Sequence, residues 1–201
     1  MTEQKISIEF FPPKTEKGLE NLHATVEALQ PLGPEYFSVT YGAGGSTRHQ
    51  TQSVVSSLVQ RGLDVAPHLS FGADSEETIE SLLASYKEEG IKRIVALRGD
   101  LPSGMGQVKP VYANELVDFI RDKFGDWFHL SVACYPEVHP QAEDLSTDIG
   151  YLKKKLDAGS DAAVTQYFYN IEAFLYFRDR CVNAGIDKPI YPGVMPIVNA
   201  A

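Results

Sequence analysis

The sequence has little of several features that mark particular classes of protein. Its 201 residues include two cysteines, Cys134 and Cys181, too few for a disulfide framework and without the spacing of a metal site. No apolar run approaches the roughly 20 residues that a membrane-spanning helix needs. No basic leader precedes an apolar stretch at the start of the chain. We therefore predict a cytoplasmic protein with no membrane segment.

Positive charge is also scarce. Lysine and arginine number 18 against 27 acidic residues, a formal net charge of −9, and the densest basic run is residues 153–155. A nucleic-acid partner is therefore not expected. Neither GxGxxG nor GK[ST] occurs, which argues against the common dinucleotide and P-loop sites. Glu137 and His139 lie two residues apart without a third ligand nearby, so we predict no metal site.

What the sequence does contain is a repeat of about thirty residues. Strand-like runs lie near Ile6, Phe37, Val65, Ile94, Leu130, Ala162 and Ile190. Segments with helical periodicity separate them, and each ends in a glycine: Gly33, Gly62, Gly90, Gly125, Gly159 and Gly185. In the third such segment, Asp74 and Glu77 predict a capping box at the start of the helix. Repeated strand–helix units predict parallel strands, either in a doubly wound sheet or in a barrel.

The position of the polar residues favours the barrel. Nearly every predicted strand ends in a polar side chain or motif: Glu9, Thr40, His68, Arg98 with Asp100, Tyr135 to His139, and Gln166. A doubly wound sheet concentrates such residues at one or two loops, whereas a barrel gathers them from all its strands. We therefore predict an α/β fold, a (β/α)8 barrel forming a single domain over residues 1–201. Because a complete barrel takes about 250 residues, we expect seven of its eight units here.

The candidate residues leave alternatives open when each is considered alone. Glu9 is either a general acid with a raised pKa or a rim carboxylate paired with a cation. Asp100 is either functional or an N-cap or turn residue, and His68 is either a catalyst or a hydrogen-bonded core or rim residue. Gln166 has an amide suited to a heterocycle edge. Lys155 lies in a basic run that reads more simply as a solvated helix face.

Seven segments together resemble the methylenetetrahydrofolate reductase family. In order they are SIEFFPPKT, VTYGAGGST, APHLSF, ALRGD, YPEVHP, TQYFYN and PGVMPI, and the likeness runs from about Ile6 to Asn199. The chain resembles the short bacterial form of the family but lacks the C-terminal end of the barrel. The resemblance implies a barrel that binds FAD, takes electrons from NADH or NADPH, and reduces 5,10-methylenetetrahydrofolate to 5-methyltetrahydrofolate by a ping-pong mechanism. It also implies a homo-oligomer in one-carbon metabolism and methionine supply.

The resemblance further assigns roles to individual residues. Glu9 corresponds to the general acid, Asp100 to a carboxylate that stabilises the folate iminium, and Gln166 to a pterin-binding amide; all three are expected to bind substrate. Arg98 and Lys155 are the expected cations for the FAD phosphates. The full set of expected flavin contacts is Thr40, Tyr41, Ala43, His68, Arg98, Gly99, Asp100, Tyr112, Ala113, Tyr135, His139, Ala142, Asp148 and Lys155.

Two other functions remain to be weighed against this one. A truncated homologue would bind flavin or assist assembly without turnover. A barrel aldolase or lyase would need a Schiff-base lysine at a strand end, and Lys14, in the loop after the first strand, is the candidate.

Overall fold

The computed structural model describes residues 5–41, 48–72, 74–98 and 111–197, and the strands and helices alternate through them. Their bounds are β1 Ser7–Phe10, α1 Glu16–Leu29, a 3-10 turn Gln30–Leu32, β2 Tyr36–Val39, α2 Arg48–Val59, β3 Val65–Leu69, α3 Glu76–Glu88, β4 Arg93–Ala96, α4 Ala113–Phe124, β5 His129–Cys134, α5 Leu145–Asp157, β6 Ala162–Thr165, α6 Ile171–Asn183 and β7 Ile190–Tyr191. Each predicted strand run coincides with an observed strand or lies next to one.

The described strands form one parallel sheet in the order β1 to β7, so each strand pairs with the strand before it in sequence. A doubly wound sheet would show a reversal in this order. The sheet curls into a half-barrel with its helices outside, which confirms the predicted α/β barrel type.

The six predicted glycines come directly after the helices or within a few residues of their ends. All six have positive φ, for example 82° at Gly90 and 115° at Gly159, in the left-handed region where other residues are strained. The predicted cap of α3 is wrong by one residue. Ser75, not Asp74, is the N-cap, and its hydroxyl accepts a hydrogen bond from the Thr78 amide at 3.3 Å.

The two faces of the sheet differ in chemistry. On one face, Phe37, Val39, Leu69 and other apolar side chains pack with the helices in a single buried core. The opposite face carries two rows of residues across the sheet. One row contains Glu9, Ser38 and Ala66, and the other contains His68, Val95 and Ser131. The interior of the half-barrel is therefore lined largely by small and polar residues, where barrels of this type more often hold bulky aliphatic ones.

The amino end of β5 and β6 is fastened by Arg121 on α4. Its guanidinium donates to the main-chain oxygens of Gly125, Phe128 and Gly159 at 2.8–3.0 Å and to the Asp161 carboxylate at 2.7 Å. Its side chain is 16% exposed. One side chain thus joins the turns before β5 and β6, at the end of the sheet opposite the candidate site.

Candidate functional site at the carboxyl ends of the strands

The carboxyl ends of neighbouring strands lie side by side. The Thr40 amide donates to Phe10 O at 3.0 Å, and Leu97 donates to Leu69 O at 2.8 Å. Gln166 donates to Cys134 O at 2.8 Å. The residues predicted at the ends of β1 to β6 therefore share one rim of the half-barrel.

At this rim, Glu9 of β1 meets His68 of β3. The distance from His68 Nε2 to Glu9 Oε2 is 3.4 Å; the Glu9 side chain is half exposed and that of His68 is only 10% exposed. Burial lowers the pKa of His68 to about 4, so the imidazole is neutral at physiological pH. Burial also raises the pKa of Glu9. The contact therefore joins a neutral imidazole to a carboxyl group whose pKa is raised, which is the direction of shift that suits a proton donor.

A second cluster joins the ends of β4 and β5. Arg98 donates to Gln141 Oε1, and the Gln141 amide donates to His139 Nδ1 at 3.0 Å. The His139 amide in turn donates to the buried Asp148 carboxylate at 2.9 Å. The rings of Tyr135 and His139 make an edge-to-face contact with centroids 4.6 Å apart. Four of the expected flavin contacts are thus connected, through a glutamine that sequence reasoning did not identify.

The backbone between Tyr135 and His139 is strained. Val138 has φ of 67°, a left-handed conformation that costs a β-branched residue about 1–2 kcal/mol. The Val138 amide bonds back to Tyr135 O at 3.3 Å, and Ala142 N donates to His139 O at 2.8 Å. This turn presents His139 at the rim, and strain of this kind concentrates at functional sites.

Lys155 lies on α5, behind the end of β5. Its ammonium donates to Ala133 O, and burial lowers its pKa, while the nearby Asp148 acts in the opposite direction. Lys155 is therefore not part of a solvated helix face. Its amino group is held close to the strand end.

The end of β6 and the chain after β7 approach closely. Gln166 is exposed, and its Oε1 accepts a hydrogen bond from the Tyr167 amide at 3.0 Å. The Gly193 amide donates to Thr165 Oγ1 at 2.9 Å, and a Cβ on Gly193 would lie 2.3 Å from Thr165 O. A glycine is therefore required here by the approach of the two main chains.

The remaining predicted contacts flank these groups. Thr40 O accepts a hydrogen bond from the Thr51 hydroxyl at 2.8 Å, which ties the end of β2 to α2. Tyr112 is the N-cap of α4, with its amide bonded to Glu115 at 2.7 Å, and Ala113 is buried in the first turn. Three predicted residues, Ala43, Gly99 and Asp100, lie outside the described residues.

Asp74 and Arg48 also belong to this rim, although the sequence did not identify them as site residues. Arg48 Nη1 lies 2.5 Å from Asp74 Oδ1, and Tyr41 Oη lies 3.4 Å from Asp74 Oδ2. In the sequence, Asp74 was a polar residue after β3, and its predicted role as a helix cap left no reason to assign it to the site. Gln141 gave no signal, because its partner Arg98 is 43 positions away.

No group of three or more His, Cys, Asp or Glu side chains in the described ranges has a metal-binding arrangement. Among the helices described, none is long and apolar enough to cross a membrane. The cytoplasmic location stays a prediction.

Polar groups gathered from successive parallel strands at one end of a curled sheet define the (β/α)-barrel class, in which sites are built at that end. The chain belongs to the methylenetetrahydrofolate reductase family, whose family model matches residues 1–201. The resemblance seen in the seven segments is thereby confirmed.

Two relatives and one solved structure illustrate the similarity. The chain is 46% identical over 196 residues to the 5,10-methylenetetrahydrofolate reductase of Pectobacterium carotovorum subsp. carotovorum, covering 96% of this chain and 64% of that protein. It is 42% identical over 208 residues to methylenetetrahydrofolate reductase (NADH) 1 of Arabidopsis thaliana, covering 96% and 35%. A chain of the tryptophan synthase α2β2 complex of Pyrococcus furiosus superposes with a TM-score of 0.61 at 13% identity, covering 96% and 78%, which shows the fold alone. The chain thus spans less than two thirds of the length of these reductase relatives.

Proposed function

We propose that the protein reduces 5,10-methylenetetrahydrofolate to 5-methyltetrahydrofolate, using electrons that NADH or NADPH delivers through bound FAD. The observation that carries the proposal is the Glu9–His68 pair at the rim of the half-barrel. It provides a half-exposed carboxyl group whose pKa is raised by burial, at the position where the family resemblance expects a general acid. The names of the reductase relatives support the substrate and the reaction.

The rim fits a flavin in its donors and charges. Arg98 is a partly exposed guanidinium held by Gln141, and Lys155 is a second cation behind β5. We propose these two as the groups nearest the FAD phosphates, because guanidinium and ammonium groups pair with phosphate oxygens. His68 is neutral, so it meets a flavin as a hydrogen-bonding group without adding charge. When bound and reduced, the flavin supplies a hydride.

Other expected flavin contacts lie around the same rim. Thr40 and Tyr41 end β2, Tyr135 and His139 follow β5, and Asp148 holds the His139 amide. We propose that these groups line the flavin site, together with Tyr112, Ala113 and Ala142 from the α4 and α5 side and with Ala43, Gly99 and Asp100.

In the folate half-reaction, Glu9 acts as the acid. Its carboxylic proton passes to N10 of the folate as the bond from N10 to the methylene carbon breaks, which leaves a cationic iminium at N5. Hydride then adds to the exocyclic carbon and gives the 5-methyl group, so one hydride and one proton account for the product. The sheet positions Glu9 for this step because its neighbour on the same strand, Phe10, packs against the core.

Two further residues bind the folate in this proposal. Gln166 presents a side-chain amide at the end of β6, and its NH2 group suits an acceptor on the pterin edge. The nicotinamide occupies the same position in the other half-reaction, which implies ping-pong kinetics. Asp100 stabilises the cationic iminium through its negative charge.

The test separates the two half-reactions. The purified protein is expected to be yellow, to bleach with NADH or NADPH without oxygen, and to regain its colour with methylenetetrahydrofolate. Glu9→Gln is expected to slow recolouring by about 10²–10⁴-fold, the usual worth of a general acid, while bleaching changes little. Glu27→Gln removes an exposed carboxylate of α1 and serves as the control.

Three results would contradict the proposal. If the protein is colourless and gains no flavin on reconstitution, FAD is not its cofactor. A protein that bleaches but never recolours with the folate is a flavin-binding homologue without this turnover. Equal slowing of both half-reactions by Glu9→Gln would show a general disturbance and no role as an acid.

A further inference from the structure

The Asp74 carboxylate joins two side chains on either side of residues 42–47. One oxygen lies 2.5 Å from Arg48 Nη1, and the other accepts a hydrogen bond from Tyr41 Oη at 3.4 Å. The side chains of Arg48 and Asp74 are 26% and 23% exposed, so this ion pair is shielded more than an ordinary surface pair. Three segments meet here: the end of β2, α2, and the loop from β3 to α3.

Asp74 is available for this contact because it does not cap its own helix. Ser75 caps α3, and the Asp74 amide donates to Phe71 O at 2.9 Å. The main chain of the loop is therefore fixed without the Asp74 side chain. A carboxylate that satisfied the helix amides would leave Arg48 and Tyr41 without this partner.

The contact places Tyr41 in a defined orientation. The Tyr41 ring packs against the core, and the preceding residue, Thr40, is bonded to both Phe10 and Thr51. Burial raises the pKa of Tyr41 to about 12, with the Asp74 charge as the next cause. The phenol is therefore protonated at physiological pH and donates its hydrogen to Asp74.

We propose that Asp74 is a positioning residue of the flavin site, which acts by holding Tyr41 and Arg48 to one carboxylate. The inference rests on the proposed function, because Tyr41 is one of the expected flavin contacts. Asp74 itself does not touch the flavin. Its effect reaches the ligand through the geometry of Tyr41 and of the first described turn of α2.

The first test measures flavin affinity by titrating apoprotein with FAD and following flavin fluorescence. Asp74→Asn keeps the size of the side chain and removes its charge, and it is expected to weaken FAD binding by about tenfold, the amount that roughly 1.4 kcal/mol represents. Arg48→Gln is expected to weaken binding as well. The double variant is expected to be no weaker than Asp74→Asn alone, because both changes break one interaction.

The control is Ser75→Ala, next to Asp74. It removes the cap of α3 and is expected to lower the urea midpoint while leaving FAD affinity unchanged. If Asp74→Asn leaves affinity unchanged, or if Ser75→Ala weakens it equally, the positioning role is overturned. Additive effects of the Asp74 and Arg48 changes would overturn it too.

The second test needs no flavin. In protein labelled with ¹³C at the tyrosine ζ carbons, the Tyr41 resonance is assigned by its absence in Tyr41→Phe. Its pKa is expected to fall in Asp74→Asn, because the nearby negative charge is gone, with Arg48 then acting alone to lower it. An unchanged Tyr41 pKa would overturn the contact. A wild-type protein that binds no flavin would instead overturn the proposed function, so the two failures are distinguishable.

Discussion

Because His68 is buried and neutral, the free energy of unfolding is expected to depend on pH by an amount that can be calculated. In the unfolded chain the imidazole takes up a proton below about pH 6.5. In the folded protein, burial delays protonation to about pH 4. Because the unfolded state binds more protons across this window, stability falls as the pH decreases from about 6.5 to 4. A difference of about 2.5 pKa units corresponds to about 3 kcal/mol at pH 4.

The measurement compares wild type with His68→Gln, which does not titrate, by urea denaturation at several pH values from 7.5 to 4. The free energy of unfolding of the wild type is expected to decline more steeply, by up to about 3 kcal/mol over the window. Glu9 works against this at the acid end, since its raised pKa lets the folded state take up a proton first. The comparison is therefore repeated in a Glu9→Gln background, where the His68 effect should persist because burial is its cause.

Two results would refute this reasoning. Parallel curves for wild type and His68→Gln, within about 0.5 kcal/mol between pH 7 and 4.5, would show that His68 is not held neutral by burial. An effect that disappears in the Glu9→Gln background would show that the carboxyl group is its cause. In either case His68 would no longer be expected to meet the flavin as an uncharged group.

Two further predictions concern the framework of the sheet. Replacing Arg121 with Met removes one cation from three carbonyls and a carboxylate, and the loss is expected to be about 3 kcal/mol in urea denaturation. The control is Arg61→Met, which breaks the exposed ion pair of Arg61 with Glu27 and is expected to lower the free energy of unfolding by about 0.5 kcal/mol or less. Equal losses for the two variants would contradict the prediction. Gly193→Ala places a Cβ against Thr165 O and is expected to cost about 1–3 kcal/mol in thermal denaturation. Gly150→Ala, inside α5 with open space around it, is expected to stabilise by about 0.5–1 kcal/mol, and a neutral Gly193 variant would show that the close approach is relaxed at no cost.

The fold could be predicted because its information is local and repeated. Glycines such as Gly90 follow each helix with positive φ, and in β1 Ile8 and Phe10 pack against the core while Glu9 between them lies on the opposite face. These signals depend on residues within one turn or one strand. The assignment of the strands to a barrel followed from the spread of polar residues along the whole chain.

The contacts within the site could not be predicted in the same way. Asp74 and Ser75 are both good helix caps, but Ser75 caps α3 while Asp74 pairs with Arg48, 26 positions earlier. In the sequence, nothing distinguishes Gln141 from other polar loop residues, and its role becomes clear only from its contact with Arg98 in the fold. The pairing of Glu9 with His68 crosses from β1 to β3, and only the curl of the sheet brings them to 3.4 Å. Contacts between side chains that are far apart in sequence thus depend on the curvature of the sheet, which the local sequence pattern does not reveal.

The strictly sequential order of the strands has a consequence for how the chain acquires its fold. Each described strand adds to the edge formed by its predecessor, and no later strand inserts between two earlier ones. Loops of about thirty residues close at modest entropic cost, because that cost grows only with the logarithm of length. During synthesis, each strand–helix unit that leaves the ribosome is therefore expected to find the strand it pairs with already formed. The order of translation and the order of assembly then coincide, and early units wait for no distant partner before they begin to bury their apolar faces.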